Sequence, residues 1–351
     1  MRSEKKLFLT LGAVFFLSSC SDLGFYWQAA AGHLDLLNSK HDIQELLDSS
    51  ATSTELKRKL KLVESVRTFA SGRMGLPDNS AYTAYVDLGR PFVTMVVTAS
   101  QPLELKAHQW CYWFVGCQEY RGYFNEAAAE AFALELKQQK LDVSVGGVSA
   151  YSTLGWLNKS WLPNYFSDPV LSTFLLKPDA ELIATLIHEM AHQIVYLKND
   201  TAFNESFAVF VEQEGLRQFL GESENFTFIE GNVEKTYQWY LSARKDRRLF
   251  RQLVTRAFEK MEILFAGKLT VAEKLRKKQQ LFAEMRENYE THKKDFQVLS
   301  YDSWFAKKLN NTHLLGVRRY HSQVDKFARL FEENGKQWPQ FFEAVRKLSK
   351  L

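Results

Sequence analysis

The segment Pro178–Ile194, which reads PDAELIATLIHEMAHQI, decides the fold of this 351-residue chain. A proline followed by acidic residues is typical of the first turn of a helix. Apolar side chains then recur at helical spacing, at Ile183, Leu186, Ile187, Met190 and Ile194. This pattern predicts a largely buried helix, and the string HEMAH, residues 188–192, lies within it.

The spacing of the two histidines in HEMAH predicts a metal site. Residues four apart in an α-helix lie about 40° apart around the axis and about 6 Å apart along it. His188 and His192 can therefore both present an imidazole to one tetrahedral zinc ion, with Glu189 close enough to reach a water molecule on it. Zinc lowers the pKa of such a water, so that it can lose a proton at neutral pH. Glu189 is predicted to take this proton and to pass it to the departing amine of a peptide.

A catalytic zinc takes three protein ligands and leaves one position open. Two glutamates of the next predicted helix compete for the third place: Glu205, in the string FNESFA, and Glu212, seven residues later on roughly the same face. If the first helix runs as far as a turn at residues 198–201, a rise of about 1.5 Å per residue brings His192 and Glu205 to similar heights on antiparallel helices. We favour Glu205 as the ligand and keep Glu212 as a supporting partner or a substitute.

These residues also carry a resemblance to known proteins. FNESFA is similar to WLNEGFA, a segment whose glutamate binds zinc in a large family of aminopeptidases. Across nearly the whole mature chain, the sequence resembles a family of bacterial lipoproteins that are predicted zinc aminopeptidases of the gluzincin type. The blocks that carry this resemblance are GLPDN (75–79), WCYWFVGC (110–117), YRGYF (120–124), AYSTLGW (150–156), DPVLSTF (168–174) and NNTHLL (310–315) with the following Tyr320.

The resemblance implies an α+β fold, mostly helical, in which an edge strand precedes the HExxH helix and pairs with the substrate backbone. The patterns agree, because residues 81–99 and 142–152 read as strands and the chain is almost wholly helical from Pro178 onward. Residues 142–152, DVSVGGVSAYS, are the candidate edge strand. The pair Gly146-Gly147 would let a peptide approach closely, or else it marks a bulge or a turn.

The resemblance also implies a tyrosine in the catalytic site, since related enzymes use a tyrosine hydroxyl to stabilise the tetrahedral oxyanion. Tyr151, at the end of the candidate edge strand, and Tyr320, after NNTHLL, are the candidates. Packing in the core is the alternative for each. No segment like GxMEN, which holds the free amino group of a substrate in the related aminopeptidases, is found. The resemblance therefore implies zinc peptidase chemistry more strongly than cleavage at a peptide N-terminus.

Residues 1–19 predict a lipoprotein signal peptide. A basic start is followed by an apolar run, Leu7–Leu17, that is too short to span a membrane comfortably. The string LSSC that ends this region resembles a bacterial lipobox, which would make Cys20 the lipidated first residue of the mature protein. Ser21 after it, by resemblance to sorted lipoproteins, favours the outer membrane, with the protein facing the periplasm. A simple cleaved signal is the alternative.

Removal of Cys20 from the count leaves Cys111 and Cys117, an even pair of cysteines in an oxidising compartment. Their spacing, with Gly116 between them, allows a tight loop closed by a disulfide. Two buried free thiols are the alternative. Metal binding by this pair is not expected, because no cluster of His and Cys stands beside it.

Charge argues against nucleic acid as a partner. The net charge of +4 is small for this length, and basic residues are mixed with acidic ones along the predicted helices. The mature chain is long enough for a sizeable core, and we divide it into an N-terminal α/β part, residues 20–175, and a helical zinc-binding part, residues 176–351. The predicted partners are a peptide or protein substrate and, through the lipid, a membrane.

The sequence thus predicts a zinc-dependent peptidase, and by resemblance an aminopeptidase. The alternative from another class is an envelope lipoprotein with a structural or vestigial zinc site that acts as a binding or assembly factor. A structural zinc would need a fourth protein ligand, and no Cys or His beside HEMAH supplies one. A zinc hydrolase of a non-peptide amide is a third reading.

The predicted anchor can be tested at Cys20. Replacement of Cys20 by Ala removes the lipid acceptor, so the protein should appear as a soluble periplasmic form or as an unprocessed precursor. Membrane fractionation with mass spectrometry of the mature N-terminus measures this. A native mature protein that is soluble and carries no lipid would show that the anchor prediction is wrong.

Overall fold

The computed structural model describes residues 24–112, 116–150, 164–221, 228–319 and 323–349. Within these ranges the chain has the predicted α+β fold, mostly helical, with small sheets before the HExxH helix and a helical C-terminal half. No helix in the described ranges is both long enough and apolar enough to cross a membrane.

The elements before residue 176 mix helices with short strands. They are α1 (24–38), β1 (His41–Asp42), α2 (Ile43–Asp48), α3 (Thr54–Gly72), β2 (Ala84–Val86), β3 (Thr94–Ser100), β4 (Trp110–Tyr112), β5 (Gly116–Gln118), β6 (Arg121–Tyr123), α4 (Glu126–Gln138), β7 (Asp142–Val148), β8 (Val170–Leu171) and α5 (Ser172–Leu175).

The elements after residue 176 are helical in the described ranges. They are α6 (Asp179–Ala191), α7 (Thr201–Gly221), α8 (Val233–Ala266), α9 (Val271–His292), α10 (Asp302–Phe305), α11 (Asn311–Arg319), α12 (Val324–Glu333) and α13 (Trp338–Leu348). Short 3-10 turns at Asn164–Phe166 and Lys293–Asp295 complete the regular structure.

The strand β7 is the predicted edge strand. The described strands form a sheet in the order β1-β2-β8, a second in the order β6-β3-β7, and the hairpin β4-β5. β7 pairs antiparallel with β3 in an unbroken register from Asp142 opposite Ser100 to Val148 opposite Thr94. Gly146 and Gly147 therefore lie in a regular exposed strand, not in a bulge. The strand ends at Val148, earlier than the predicted segment 142–152.

The helix α6 lies in the main hydrophobic core. Its residues Leu182, Ile183, Leu186 and Ile187 have no exposed surface, and they pack with side chains of α3, α7 and β8 in one buried cluster. Each such side chain contributes about 1.5–3 kcal/mol by leaving water. The cluster draws on both predicted parts, residues 20–175 and 176–351, so the helix that carries HEMAH is held from both sides.

A buried carboxylate fixes the start of α6. Asp179 accepts hydrogen bonds from Arg58 Nη1 (2.8 Å) and Lys59 Nζ (2.7 Å), both on α3, and from the backbone N–H of Glu230 (2.7 Å). Although burial by itself would raise the pKa of Asp179, the hydrogen bonds from Arg58, Glu230 and Lys59 bring it below its usual value. A negative charge in the first turn also suits the helix dipole.

The end of α6 differs from the prediction that it continues to residue 198. The helix ends at Ala191, His192 is its C-cap, and residues 192–200 form turns and irregular backbone. The reason lies on α7, where the Asn204 side chain accepts from the N–H of Leu197 and donates to its C=O, both at 2.8 Å. These bonds satisfy a backbone that has left the helix, and Asp200 caps α7 through the N–H of Phe203.

Replacement of Asp179 by Asn should destabilise the fold by about 3 kcal/mol, because Arg58 and Lys59 would lose a buried counter-charge. Urea unfolding of both proteins at neutral pH measures the difference. The carboxylate stabilises the fold above its unfolded pKa near 4 and loses this effect as the pH falls through its lower folded value, so the difference should shrink in acid.

The control is Glu55→Gln, which removes an exposed partner of the same arginine and should change stability by less than about 1 kcal/mol. Equal effects of the two substitutions would contradict the role assigned to Asp179.

Candidate metal centre

Three side chains from α6 and α7 converge at the end of α6. His188 Nε2 and His192 Nε2 lie 3.2 Å apart, and Oε2 of Glu205 lies 3.4 Å from the first and 3.9 Å from the second. Their ligand atoms all fall within 4.8 Å of one another. The helix brings the two rings together, and the Leu197–Asn204 bonds set the start of α7 so that Glu205 faces them.

These separations suit a metal ion. A tetrahedral ion with bond lengths of about 2.0–2.1 Å holds neighbouring ligand atoms about 3.3 Å apart, close to the three distances observed. Two imidazole nitrogens and one carboxylate oxygen form a donor set that transition metals accept. In the described ranges the group offers three candidate ligands, the number that a catalytic metal site uses.

Glu212 lies behind His188, on the side away from the other two ligands. Its Oε2 is 3.0 Å from His188 Nδ1, whereas Glu205 faces Nε2 of the same ring. A carboxylate on the second nitrogen fixes the tautomer and the orientation of a metal-binding histidine and raises its basicity. The structure thus gives Glu205 and Glu212 different positions: Glu205 lies by the metal-facing nitrogens, and Glu212 lies behind one ring.

The two histidines have different proton affinities. Burial would lower the pKa of His188, but its hydrogen bonds with Glu205 and Glu212 raise it well above the usual value. Burial lowers the pKa of His192 to about 4, so this ring is neutral at pH 7. Since only a neutral imidazole binds a metal, protonation and metal binding compete at His188.

Glu189 lies on α6 between the two histidines in sequence. Burial raises the pKa of Glu189 to about 7, against the lowering effect of His188, and the carboxylates of Glu205 and Asp168 raise it further. A carboxyl group with such a pKa can accept and return a proton near neutral pH.

Lys177 connects the edge strand to this site. Its ammonium donates to Ser149 Oγ at 2.8 Å, and Thr173 Oγ1 donates to Ser149 O at 2.5 Å, so the residue that follows β7 is tied to the segment before α6. Burial lowers the pKa of Lys177, while the carboxylates of Glu181, Glu212 and Glu189 act on it in the opposite direction.

The β4-β5 hairpin supports the loop that follows His192. A disulfide joins Cys111 and Cys117, which lie opposite each other in the hairpin. The N–H of Cys117 donates to Asn199 Oδ1 at 2.8 Å, and Gln118 Nε2 donates to the hydroxyl of Tyr196 at 2.9 Å. The hairpin therefore packs against the loop between the two metal-binding helices.

Some sequence predictions lie outside the described residues. These are Tyr151, Tyr320 and Cys20. No sequence pattern pointed to Lys177 or Tyr196. Burial lowers the pKa of Lys177 and raises that of Tyr196, and the carboxylates of Glu189 and Glu205, respectively, act to raise the two values. No motif marks either residue, although Tyr196 stands four residues after His192. Three residues of FNESFA have separate contacts. Asn204 holds the loop at Leu197, Glu205 faces the histidines, and Ser206 accepts a hydrogen bond from the N–H of Gln323.

The α+β fold and the HExxH helix paired with a second acid-bearing helix define a protein with a triad that could hold a metal ion. Residues 24–351 match the family described as "Putative aminopeptidase", and the chain belongs to this family. Membership supports a peptidase-like function. Comparison with curated proteins and with solved structures gave no match.

The two glutamates of α7 should differ in a metal-binding assay. Glu205→Gln removes a direct ligand and should abolish stoichiometric binding. Glu212→Gln keeps the triad but weakens the orientation of His188, and it should lower affinity about 10- to 100-fold. Metal titration with a competing chelator measures both.

Glu214→Gln is the matched control, because Glu214 lies on the same helix and bonds to Arg217 and Gln218 instead. Full metal retention in Glu205→Gln, with loss in Glu212→Gln, would reverse the assignment.

Proposed function

We propose that this protein is a zinc-dependent peptidase of the gluzincin type that acts as an aminopeptidase. The observation that carries the proposal is the convergence of His188, His192 and Glu205 beside Glu189, with Glu212 behind the first histidine. Family membership supports the aminopeptidase reading. The donor set of two histidines and one glutamate, with one position left for solvent or substrate, favours zinc among the metals.

Zinc bound to the triad would supply Lewis acidity, which polarises a peptide carbonyl and lowers the pKa of water. The protein supplies the remaining parts. Glu189, with its pKa near 7, accepts the proton of the attacking water and returns it to the departing amine. Glu212 holds His188 in one orientation during this exchange.

We also propose that a peptide substrate lies along β7. This strand ends the sheet β6-β3-β7, and Gly146 and Gly147 are exposed on it. An extended peptide can add to such an edge through backbone hydrogen bonds. The Lys177–Ser149 contact supports this path, because it joins the residue after β7 to the segment that precedes the HExxH helix.

The proposed location is the outer membrane, with Cys20 as the lipid anchor and the protein facing the periplasm. Two observations support it. The Cys111–Cys117 disulfide suits an oxidising compartment. Soon after Cys20, α1 exposes Trp27 (77 %) and Tyr26 (46 %), residue types that favour a membrane surface.

The decisive variant for the proposed chemistry is Glu189→Gln. The amide is close to isosteric and leaves the metal-binding triad intact, but it cannot accept the proton. Peptide hydrolysis should therefore fall by about 10²- to 10⁴-fold while zinc content and thermal stability stay near those of the native protein. Mass spectrometry of a peptide mixture, with metal analysis and a melting curve on the same sample, measures all three.

Glu230→Gln serves as the control, since this exposed carboxylate lies away from the triad. If the native rate and the cellular phenotype both survive Glu189→Gln, the peptidase proposal fails. A binding or assembly factor with a structural metal then becomes the better account.

A further inference from the structure

A cavity of about 220 Å³ lies on the Glu212 side of His188. His188 and Glu212 form one wall, and Tyr240, Arg244, Arg247 and Arg251 of α8 form the other. The three arginines are three and four residues apart, so they project from one face of the helix. Three guanidinium groups thus line a cavity that borders the metal-binding residues.

The positive charge of this cavity is only partly balanced by protein. Arg247 pairs with Glu181 at 3.0 Å, and Glu212 is bound to His188. In the part of the chain that the structure describes, Arg244 and Arg251 form no salt bridge. Burial lowers the pKa of Arg251, and repulsion from Arg248 and Arg244 lowers it further. An anion in the cavity would relieve this repulsion.

Tyr240 adds a hydrogen-bond donor. Its side chain is 3 % exposed, and its hydroxyl has no hydrogen-bond partner among the described residues. Burial raises the pKa of Tyr240, so the phenol is protonated at neutral pH and can donate. Buried hydroxyls without a partner are uncommon in folded proteins. An acceptor supplied by a ligand would satisfy this one.

We propose that the cavity binds a carboxylate of the peptide substrate, held by Arg244, Arg251 and the hydroxyl of Tyr240. Planar guanidinium groups bind carboxylates through paired hydrogen bonds, and a neutral phenol adds a further donor. The carboxylate can come from an acidic side chain or from the C-terminus of a short peptide. The inference rests on the proposed peptidase function and gives it a substrate class.

The position of the cavity supports a substrate subsite. Arg247, in its wall, and Glu189 both act electrostatically on Lys177, so the arginine face and the proposed base lie within electrostatic range of the same lysine. Lys177 in turn bonds to Ser149 at the end of β7. A peptide along β7 would thus leave the strand close to the cavity.

The test uses zinc-loaded full-length protein and matched peptides. One pair differs by Glu against Gln at one position, and a second pair by a free against an amidated C-terminus. The native protein should prefer the carboxylate member of at least one pair by about 10-fold or more in kcat/KM, which identifies the source of the carboxylate. Arg244→Gln and Arg251→Gln should each reduce that preference several-fold, and Tyr240→Phe should reduce it less.

Arg248→Gln is the matched control, because this exposed arginine lies on the same helix outside the cavity wall. It should leave the preference unchanged. A native enzyme that cleaves both members of each pair equally well would overturn the inference. Retention of the full preference in both arginine variants would do the same.

Calorimetric titration of the same peptides into the Glu189→Gln variant separates this inference from the proposed function. If no peptide is hydrolysed by the native protein but the carboxylate peptide binds tighter, and the added Arg244→Gln change removes the difference, the peptidase proposal fails and the carboxylate site stands. Hydrolysis without any carboxylate preference, in rate or in binding, supports the peptidase proposal and overturns the carboxylate site.

Discussion

The imidazole of His188 lies between two carboxylates, and the rest of the site depends on this arrangement. Glu205 faces Nε2 and Glu212 faces Nδ1, at 3.4 and 3.0 Å. The two glutamates are about 10.5 Å apart along α7. One imidazole can contact both only if α6 and α7 keep a fixed position relative to each other along their axes. A slip of one turn, about 5.4 Å, would break both contacts. The buried apolar side chains of the two helices, and Asp179 at the start of α6, resist that slip.

Opposite charges occupy neighbouring zones around the site. The carboxylates of Glu189 and Glu205 lie near the triad, whereas the arginines of α8, together with Glu212, line the cavity on the other side of His188. The carboxylates lower the electrostatic cost of placing a divalent cation among buried side chains. The arginines offer only hydrogen-bond donors and keep their positive charge, which suits them to anion recognition and not to metal binding.

The sequence predicted those parts that local periodicity controls. HEMAH and the apolar spacing of residues 183–190 placed both histidines on a buried helix, and alternating valines placed β7. The predicted end of α6 was wrong, because the two hydrogen bonds between Asn204 and Leu197 stabilise an irregular backbone in place of further helical turns. No local sequence pattern indicated the cavity, since Tyr240 and the arginines come close to His188 only through the packing of α8 against α6 and α7.

The exposed edge of β7 also bears on solubility. A free strand edge that can accept a peptide can equally accept the same strand of another molecule, which is the usual start of sheet-like aggregation. Gly146 and Gly147 lower the β-propensity of that edge and give an incoming strand no side chain to pack against. The two glycines that would leave room for the proposed peptide therefore also weaken pairing between copies of this edge.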